Sequence, residues 1–294
     1  MKILKSHLLE KVDAKLNVKQ LEAELTRLGL EVESIEKFGN PKKSDFVIDL
    51  DLTPNRGDCF SVLGVARELA AISNKEILKE KNILKKASLS PLTKVKLSEK
   101  PACPKYSFIE IHKIDNTKKL PEYISNRLDA AGINLINPIV DILNYVMIDL
   151  GQPLHAFDLD KIGKSINVRF AKPKEKITLL DGSNKILNKN CLVISDEKKV
   201  LALAGIMGGI DSSVQSDTCS VLIESAFFDP LVIQGKARSF NIQTDSSQRF
   251  ERGVDFDVQQ KALIKATNLI ADHLSGSHSC LLYTSDAADD GIRV

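Results

Sequence analysis

Asn144-Tyr-Val-Met-Ile-Asp-Leu-Gly-Gln-Pro-Leu-His-Ala-Phe-Asp158 is the stretch around which the chain is organised. Just before it, Asn137 is a good helix N-cap, and Pro138 suits a first helical position, where its missing N–H has no partner to lose. The body from Ile139 to Leu150 is apolar on almost every side, which predicts a buried helix rather than an amphipathic one. Gly151 supplies a stop, and Pro153 keeps the exit extended. His155 is thereby held at a fixed point beyond a rigid helix end, with Asp141 and Asn144 one turn apart further back. Buried Asn and His side chains need hydrogen-bond partners. Two readings follow: both satisfy loop backbone, or both face a polar pocket.

Working outward, 294 residues allow two domains, or one large and one small. The 43% hydrophobic content suits a globular core, and a net charge of +2 gives no global basic signal, so nucleic-acid contacts must be local or come from a partner chain. The five cysteines are scattered, with no pair or Cys/His cluster at metal spacing; zinc is not expected, and an odd count without a signal peptide reads as reduced cytoplasm. No window approaches a membrane span.

N-terminal to the central stretch, Asn17 to Gln20 has the form of a capping box, with Val18, Leu21, Leu25 and Leu28 at helical spacing before Gly29. Leu30 to Ile35 alternates as a short strand. This unit is too small to bury its own face. Asn40 to Ser44 reads as a turn, and Asp45 to Leu52 as a strand with one mostly acidic face. Asp49, Asp51 and Asp58 suggest either a divalent-ion site or a solvated strand face with Asp58 as a helix N-cap. A helix with Val62, Val65, Leu69 and Ile72 on one face follows. From Asn74 to Lys105 there are nine lysines against three glutamates, with three prolines, which reads as a basic linker at a domain boundary.

C-terminal to the linker, Ser107 to Ile114 reads as a strand and Pro121 to Ala131 as a helix. Beyond the central stretch come hairpins: Ile166 to Phe170, Ile177 to Leu180 turning at Asp181-Gly182, and Cys191 to Ile194 turning into Val200 to Leu203. Val221 to Ser225 is a further strand, and helices return at Asp229-Pro230 and from Val258 to Leu274. Strands framed by helices make the class α+β. Three clusters stand out. Ala204-Gly-Ile-Met-Gly-Gly209 permits close approach of a ligand or another backbone, but lacks the Lys-Ser/Thr of a P-loop. Glu224, in an apolar run, faces outward from an edge strand or inward to a polar cavity. Thr244 to Asp255 packs Arg249, Glu251, Arg252 and Asp255 around Phe250. It reads as a salt-bridged loop, or as arginines gripping RNA phosphate.

Taken in order, Gly29-Leu-Glu-Val32, Thr53-Pro-Asn-Arg-Gly-Asp58, Gly64-Val-Ala-Arg67, Asn144-Tyr-Val146, Gly151 to Asp158, Ala204 to Gly209 and Arg249-Phe-Glu-Arg-Gly-Val-Asp255 resemble the β subunit of bacterial phenylalanyl-tRNA synthetase. The resemblance runs from Met1 to about Gly276. It implies a small N-terminal α/β domain (1–75, B1-like), a basic linker (76–104) and a B3/B4 tRNA-editing domain (105–276). It also implies a cytoplasmic α2β2 enzyme that joins phenylalanine to tRNA(Phe) with ATP and Mg2+. The activation site lies in the α subunit, so none of these cofactors is expected on this chain and it should not aminoacylate alone. The B3/B4 module of the family hydrolyses tyrosine wrongly attached to the tRNA. Carried over by position, catalytic roles fall to His155, Asn144 and Glu224, with Ala204, Gly205 and Ser246 binding substrate and Glu224 receiving the tyrosine phenol; no metal site is implied.

The chain departs from the family pattern in lacking the usual oligonucleotide-binding-fold insertion, since Phe38 to Ser44 bridges that gap directly. Leu143 stands where a threonine is usual, and Ser246 where an alanine is usual. The alternative reading is therefore a non-catalytic scaffold whose pocket Leu143 or its neighbours fill. The last stretch, Ser277 to Val294, resembles translated sequencing-adapter DNA; it is expected to be a non-native tail with no structural role on a chain that is a fragment.

Overall fold

The computed structural model describes residues 1–39, 44–78 and 83–284. The turn expected at Asn40 to Ser44 falls mostly outside these residues. The first unit runs β1 (Lys2–Leu4), α1 (Lys5–Leu9), α2 (Val18–Arg27), β2 (Glu31–Phe38), β3 (Asp45–Asp51) and α3 (Val62–Ser73). Its sheet has the order β1-β3-β2. The Asn17 capping box closes as expected, with Asn17 accepting from the Gln20 N–H and Gln20 from the Asn17 N–H, both at 3.0 Å. The cap of α3 is Ser61 rather than Asp58, because Ser61 Oγ accepts from the Gly64 N–H at 2.9 Å. Asp58 is instead held by a two-pronged bond from Arg56, which holds its carboxyl below the usual carboxylate range.

The second unit contains β4 (Lys94–Leu97), β5 (Lys105–His112), α4 (Glu122–Ala130), α5 (Pro138–Leu150), β6 (His155–Asp158), β7 (Ser165–Phe170), β8 (Lys176–Thr178), β9 (Asn184–Ile186), β10 (Leu192–Ser195), β11 (Val200–Leu203), β12 (Met207–Gly208) and β13 (Ser220–Phe227). Then come α6 (Pro230–Ile233), α7 (Lys236–Ser239), α8 (Asp245–Arg252), α9 (Gln259–His273), β14 (Ser277–His278) and β15 (Leu282–Thr284). This is the expected α+β class. Two larger sheets have the orders β14-β5-β13-β6 and β12-β11-β10-β7-β4, and β8–β9 is the hairpin anticipated at Asp181-Gly182.

The β5–β13–β6 sheet divides two cores. Because strand side chains alternate between faces, Ile109, Ile111, Val221, Ile223 and Ala156 point into one core, shared with α5, α9 and the first unit. Tyr106, Phe108, Leu222, Ala226 and Phe157 point into the other, shared with the second large sheet. The first unit thus buries its apolar face on α5 rather than on itself. Asp149, fully buried on α5, fastens this junction: His7 and Lys11 of the first unit each approach it at 2.7 Å, and Lys265 of α9 at 2.5 Å. Burial raises the affinity of this carboxyl for its proton, but the bond from His7 and the two ammonium groups outweigh that and keep it ionised.

Four local expectations are corrected. The lysine-rich segment is not only a connector, since Lys94–Leu97 pairs parallel with β7. His155 opens a strand rather than sitting in a loop. Thr244 to Arg252 is a helix, not a salt-bridged loop: Thr244 Oγ1 accepts from the Ser247 N–H at 3.0 Å and Ser247 Oγ from the Thr244 N–H at 3.0 Å. Ser277 to Thr284, expected to play no structural part, adds two short strands to the outer side of β5, with Ser279 fully buried.

Candidate functional site

The helix that positions the site forms as its punctuation dictates. Asn137 Oδ1 accepts from the Val140 N–H at 3.1 Å, Asp141 accepts from the Ile136 N–H at 2.8 Å, and Gly151 closes the helix at φ 81°. The exit is pinned by Gln152, which is fully buried. Its amide donates to the Pro153 and Ala226 carbonyls at 2.9 Å each and accepts from Gln259 at 3.1 Å. This side-chain bracket locks β6 against β13 before the strand begins.

The consequence is a register in which His155 lies directly opposite Glu224. Residues opposed across antiparallel strands have Cβ atoms about 4.5–5.5 Å apart on the same face. Both therefore project toward the second core, from segments far apart in sequence. β13 is a central strand, so Glu224 points inward and is only 5% exposed. Burial pushes its carboxyl up to about 8, an effect partly offset by a hydrogen bond of 3.3 Å that Tyr106 Oη donates to Oε2. Tyr106 and Cys103 beside it are held in their protonated forms by burial and by this acid.

His155 is the opposite case. Burial favours the neutral ring and pulls it down to about 4. Its Nε2 is shielded from solvent and has no hydrogen-bond partner among the described residues. Phe157 meets the imidazole edge-to-face at 4.5 Å. On the other side the backbone of Gly208 approaches so closely that a Cβ there would lie 2.4 Å from the ring. Gly208 belongs to the glycine-rich cluster, but sequence reasoning singled out Ala204 and Gly205 instead.

Ala204 and Gly205 form the turn from β11 to β12. The Ala204 N–H bonds the Leu192 carbonyl at 3.0 Å. Gly205 has φ +68°, and a Cβ would sit 3.2 Å from both Phe228 and Phe250, so the position is closed to side chains on two counts. Thr244 Oγ1 donates to the Ile206 carbonyl at 2.8 Å and ties the start of α8 to this turn. Ser246, half-buried in the first turn of α8, is carried with it.

His155, Glu224 and the Ala204–Gly208 turn thus converge. Asn144 is placed differently. It is half-buried on α5, which packs on the opposite face of the sheet, and no hydrogen bond joins it to His155 or Glu224 among the described residues. Leu143 is buried in that same first core. Of the three acidic residues read as either an ion site or a solvated face, Asp49 accepts from the N-terminal ammonium at 3.2 Å and faces Lys2 at 3.7 Å, and no cluster of metal-ligating side chains is found among the described residues. Two cavities are prominent. One, of about 270 Å³, lies between the first unit and α8; the other, of about 300 Å³, lies beside the β8–β9 hairpin. Neither is lined by His155 or Glu224.

This arrangement is that of a B3/4 domain: the model of that family matches residues 102–275, and the chain belongs to the family. Its relatives sharpen the placement. The chain is 46% identical over 242 residues to the phenylalanine–tRNA ligase beta subunit of Legionella pneumophila (strain Lens), a match covering 82% of this chain and 30% of that protein. It is 45% identical over 238 residues to the subunit of the same name from Coxiella burnetii, covering 81% and 30%. The chain therefore spans about a third of the length of these relatives. An N-terminal fragment of the phenylalanyl-tRNA synthetase β subunit from Pyrococcus horikoshii aligns over 97% of this chain and 79% of its own, with TM-score 0.46 and 17% identity. No helix among the described residues is long and apolar enough to cross a membrane.

Proposed function

We propose that this chain is the editing part of a phenylalanine–tRNA ligase β subunit, removing tyrosine from mischarged tRNA(Phe), in partnership with an α subunit in an α2β2 assembly. The observation that carries the reading is the cross-strand pair of Glu224 and His155, an acid and an imidazole both desolvated on one face of a central strand. Phenylalanine and tyrosine differ by one hydroxyl. A buried carboxyl that stays protonated near neutral pH both donates to and accepts from a phenol, whereas phenylalanine would leave part of that capacity unmet. Sites built in this way discriminate by up to ~10⁴–10⁵.

The hydrolytic step needs a water held beside the ester carbonyl. Its oxygen bonds to the carbonyl carbon, the bond to the terminal ribose oxygen breaks, and a proton from the water passes to that ribose oxygen as tyrosine leaves. A neutral imidazole pulled down to about 4 is a weak base, so His155 serves by orienting the water through Nε2 rather than by fully removing its proton. The turn at Ala204 and Gly205, with Ser246 behind it, forms the substrate wall. Asn144 takes part only if α5 presents it from across the sheet end. ATP and Mg2+ belong, on this reading, to the α subunit's activation site. No carboxylate set here gathers at metal distance among the described residues, and no step above passes through them.

Leu143 itself does not fill the space beside Glu224, because its side chain lies in the core on the far face of the sheet; the scaffold reading now rests on its neighbours, since neither prominent cavity is lined by His155 or Glu224. The test is Glu224→Ala in the reconstituted tetramer, following deacylation of tyrosyl- and phenylalanyl-tRNA. The preference for tyrosine should collapse toward parity. Normal clearance of tyrosyl-tRNA by the variant would rule the assignment out.

A further inference from the structure

The arginines of α8 have no part in the reading above. Arg249 and Arg252 line the cavity of about 270 Å³ between the first unit and α8. Both guanidinium groups lie over the Phe60 ring, at 5.6 and 4.3 Å from its centroid. They are not equally satisfied. Arg249, 4% exposed, donates through Nε to the Phe60 carbonyl at 3.2 Å and through Nη1 to the Asp245 carbonyl and carboxylate at 2.9 and 2.8 Å. Its Nη2 has no hydrogen-bond partner among the described residues. Arg252 makes neither ion pair nor hydrogen bond among these residues, and its Nη1 is cut off from solvent. A desolvated guanidinium is stable when it meets an anion, and the planar fork matches a carboxylate.

The remaining walls narrow the class of anion. Leu52, Ile133 and Ile148 give an apolar side, and Asp51 and Asp245 stand at the cavity with opposing charge. Lys2 also lines the cavity and Asp245 is already paired with Arg249, so charge does not exclude a polyanion; the enclosure of Arg249, 4% exposed, does, because an RNA backbone cannot reach it. The volume sits just below the range of small-molecule sites, about 300–1,000 Å³. We propose that this cavity binds a small carboxylic acid with a compact apolar body, its carboxylate between Arg249 and Arg252 and its body against Ile133 and Ile148.

The test is calorimetric titration of the full chain with 3-methylbutanoate and, at equal ionic strength, with inorganic phosphate. Saturable one-site binding of the carboxylate, tighter than phosphate, is expected. Arg252→Gln should weaken it at least roughly tenfold, the loss of one charge-assisted hydrogen bond. Ile133→Trp, which fills the apolar wall and leaves both arginines in place, should abolish it. Both variants should melt close to the parent without ligand; if Arg252→Gln fails to fold, Ile133→Trp alone decides. No saturable binding, phosphate binding as tight as the carboxylate, or unchanged affinity in the folded variants would each overturn the proposal.

Discussion

Replacing Glu224 with Gln should make the chain more stable at alkaline pH, because the buried carboxyl opposes folding there. In the unfolded chain it loses its proton near the ordinary 4.5, whereas in the folded protein it holds it to about 8. Between those limits the folded state binds more protons than the unfolded one, so stability falls as pH rises. At about 1.4 kcal/mol per tenfold in proton affinity, the whole window amounts to about 5 kcal/mol as an upper bound. His155 acts in the other direction: the unfolded ring takes a proton near 6.5, the folded ring resists until about 4, and stability falls as pH drops through that range. The two effects oppose one another from 4.5 to 6.5, and above 6.5 Glu224 acts alone. Urea unfolding at pH 6.5 and pH 8 isolates it. The parent should lose about 2 kcal/mol more than Glu224→Gln over this interval. Equal losses in the two proteins would refute the idea that this carboxyl is desolvated and protonated in the fold.

Two further substitutions separate the site from the scaffold. Gly208→Ala places a methyl where the imidazole of His155 now lies, so, on the proposed function, removal of tyrosine from tRNA by the reconstituted tetramer should fall at least tenfold, about 1.4 kcal/mol in the barrier, with a stability loss of about 1–3 kcal/mol from the forced repacking; full activity would show that the ring position is immaterial. Asp149→Asn removes the carboxylate shared by His7, Lys11 and Lys265 and should destabilise the chain by about 3–5 kcal/mol, read from denaturant unfolding; a change under about 1 kcal/mol would mean the cluster is not what fastens the first unit to α5.

Local chemistry explains what the sequence revealed of this fold. The limits of α5 could be read directly because Asn137, Pro138 and Gly151 act on their own neighbours within one turn. The same holds for the Asn17 box and the Asp181-Gly182 hairpin. α8 escaped notice because its box carries Ser247 in place of the usual Glu or Gln, and its four charges suggested a loop. β4 was hidden in a lysine-rich run, since Lys94-Val-Lys-Leu97 is too short an alternation to stand out from a linker. The candidate site divides along the same line. Motif resemblance named His155 and Glu224, but alternation alone left Glu224 facing either way, because its direction depends on β13 being flanked by β5 and β6. The partners that set the site's electrostatics, Tyr106 on Glu224 and Gly208 against His155, come from other strands and carry no local signal.

The two short strands at the end of the described chain also matter for handling it. β5 is hydrogen-bonded to β13 on one side, and on the other, among the described residues, Ser277–His278 and Leu282–Thr284 pair with its backbone. Ladder bonds are made by main chain, so this flank selects an extended conformation more than any particular side chains. A polypeptide cut at Gly276 would bare the flank as an adhesive edge, open to a second molecule and to aggregation. Whatever residues follow that glycine in a given preparation therefore act as a guard on solubility.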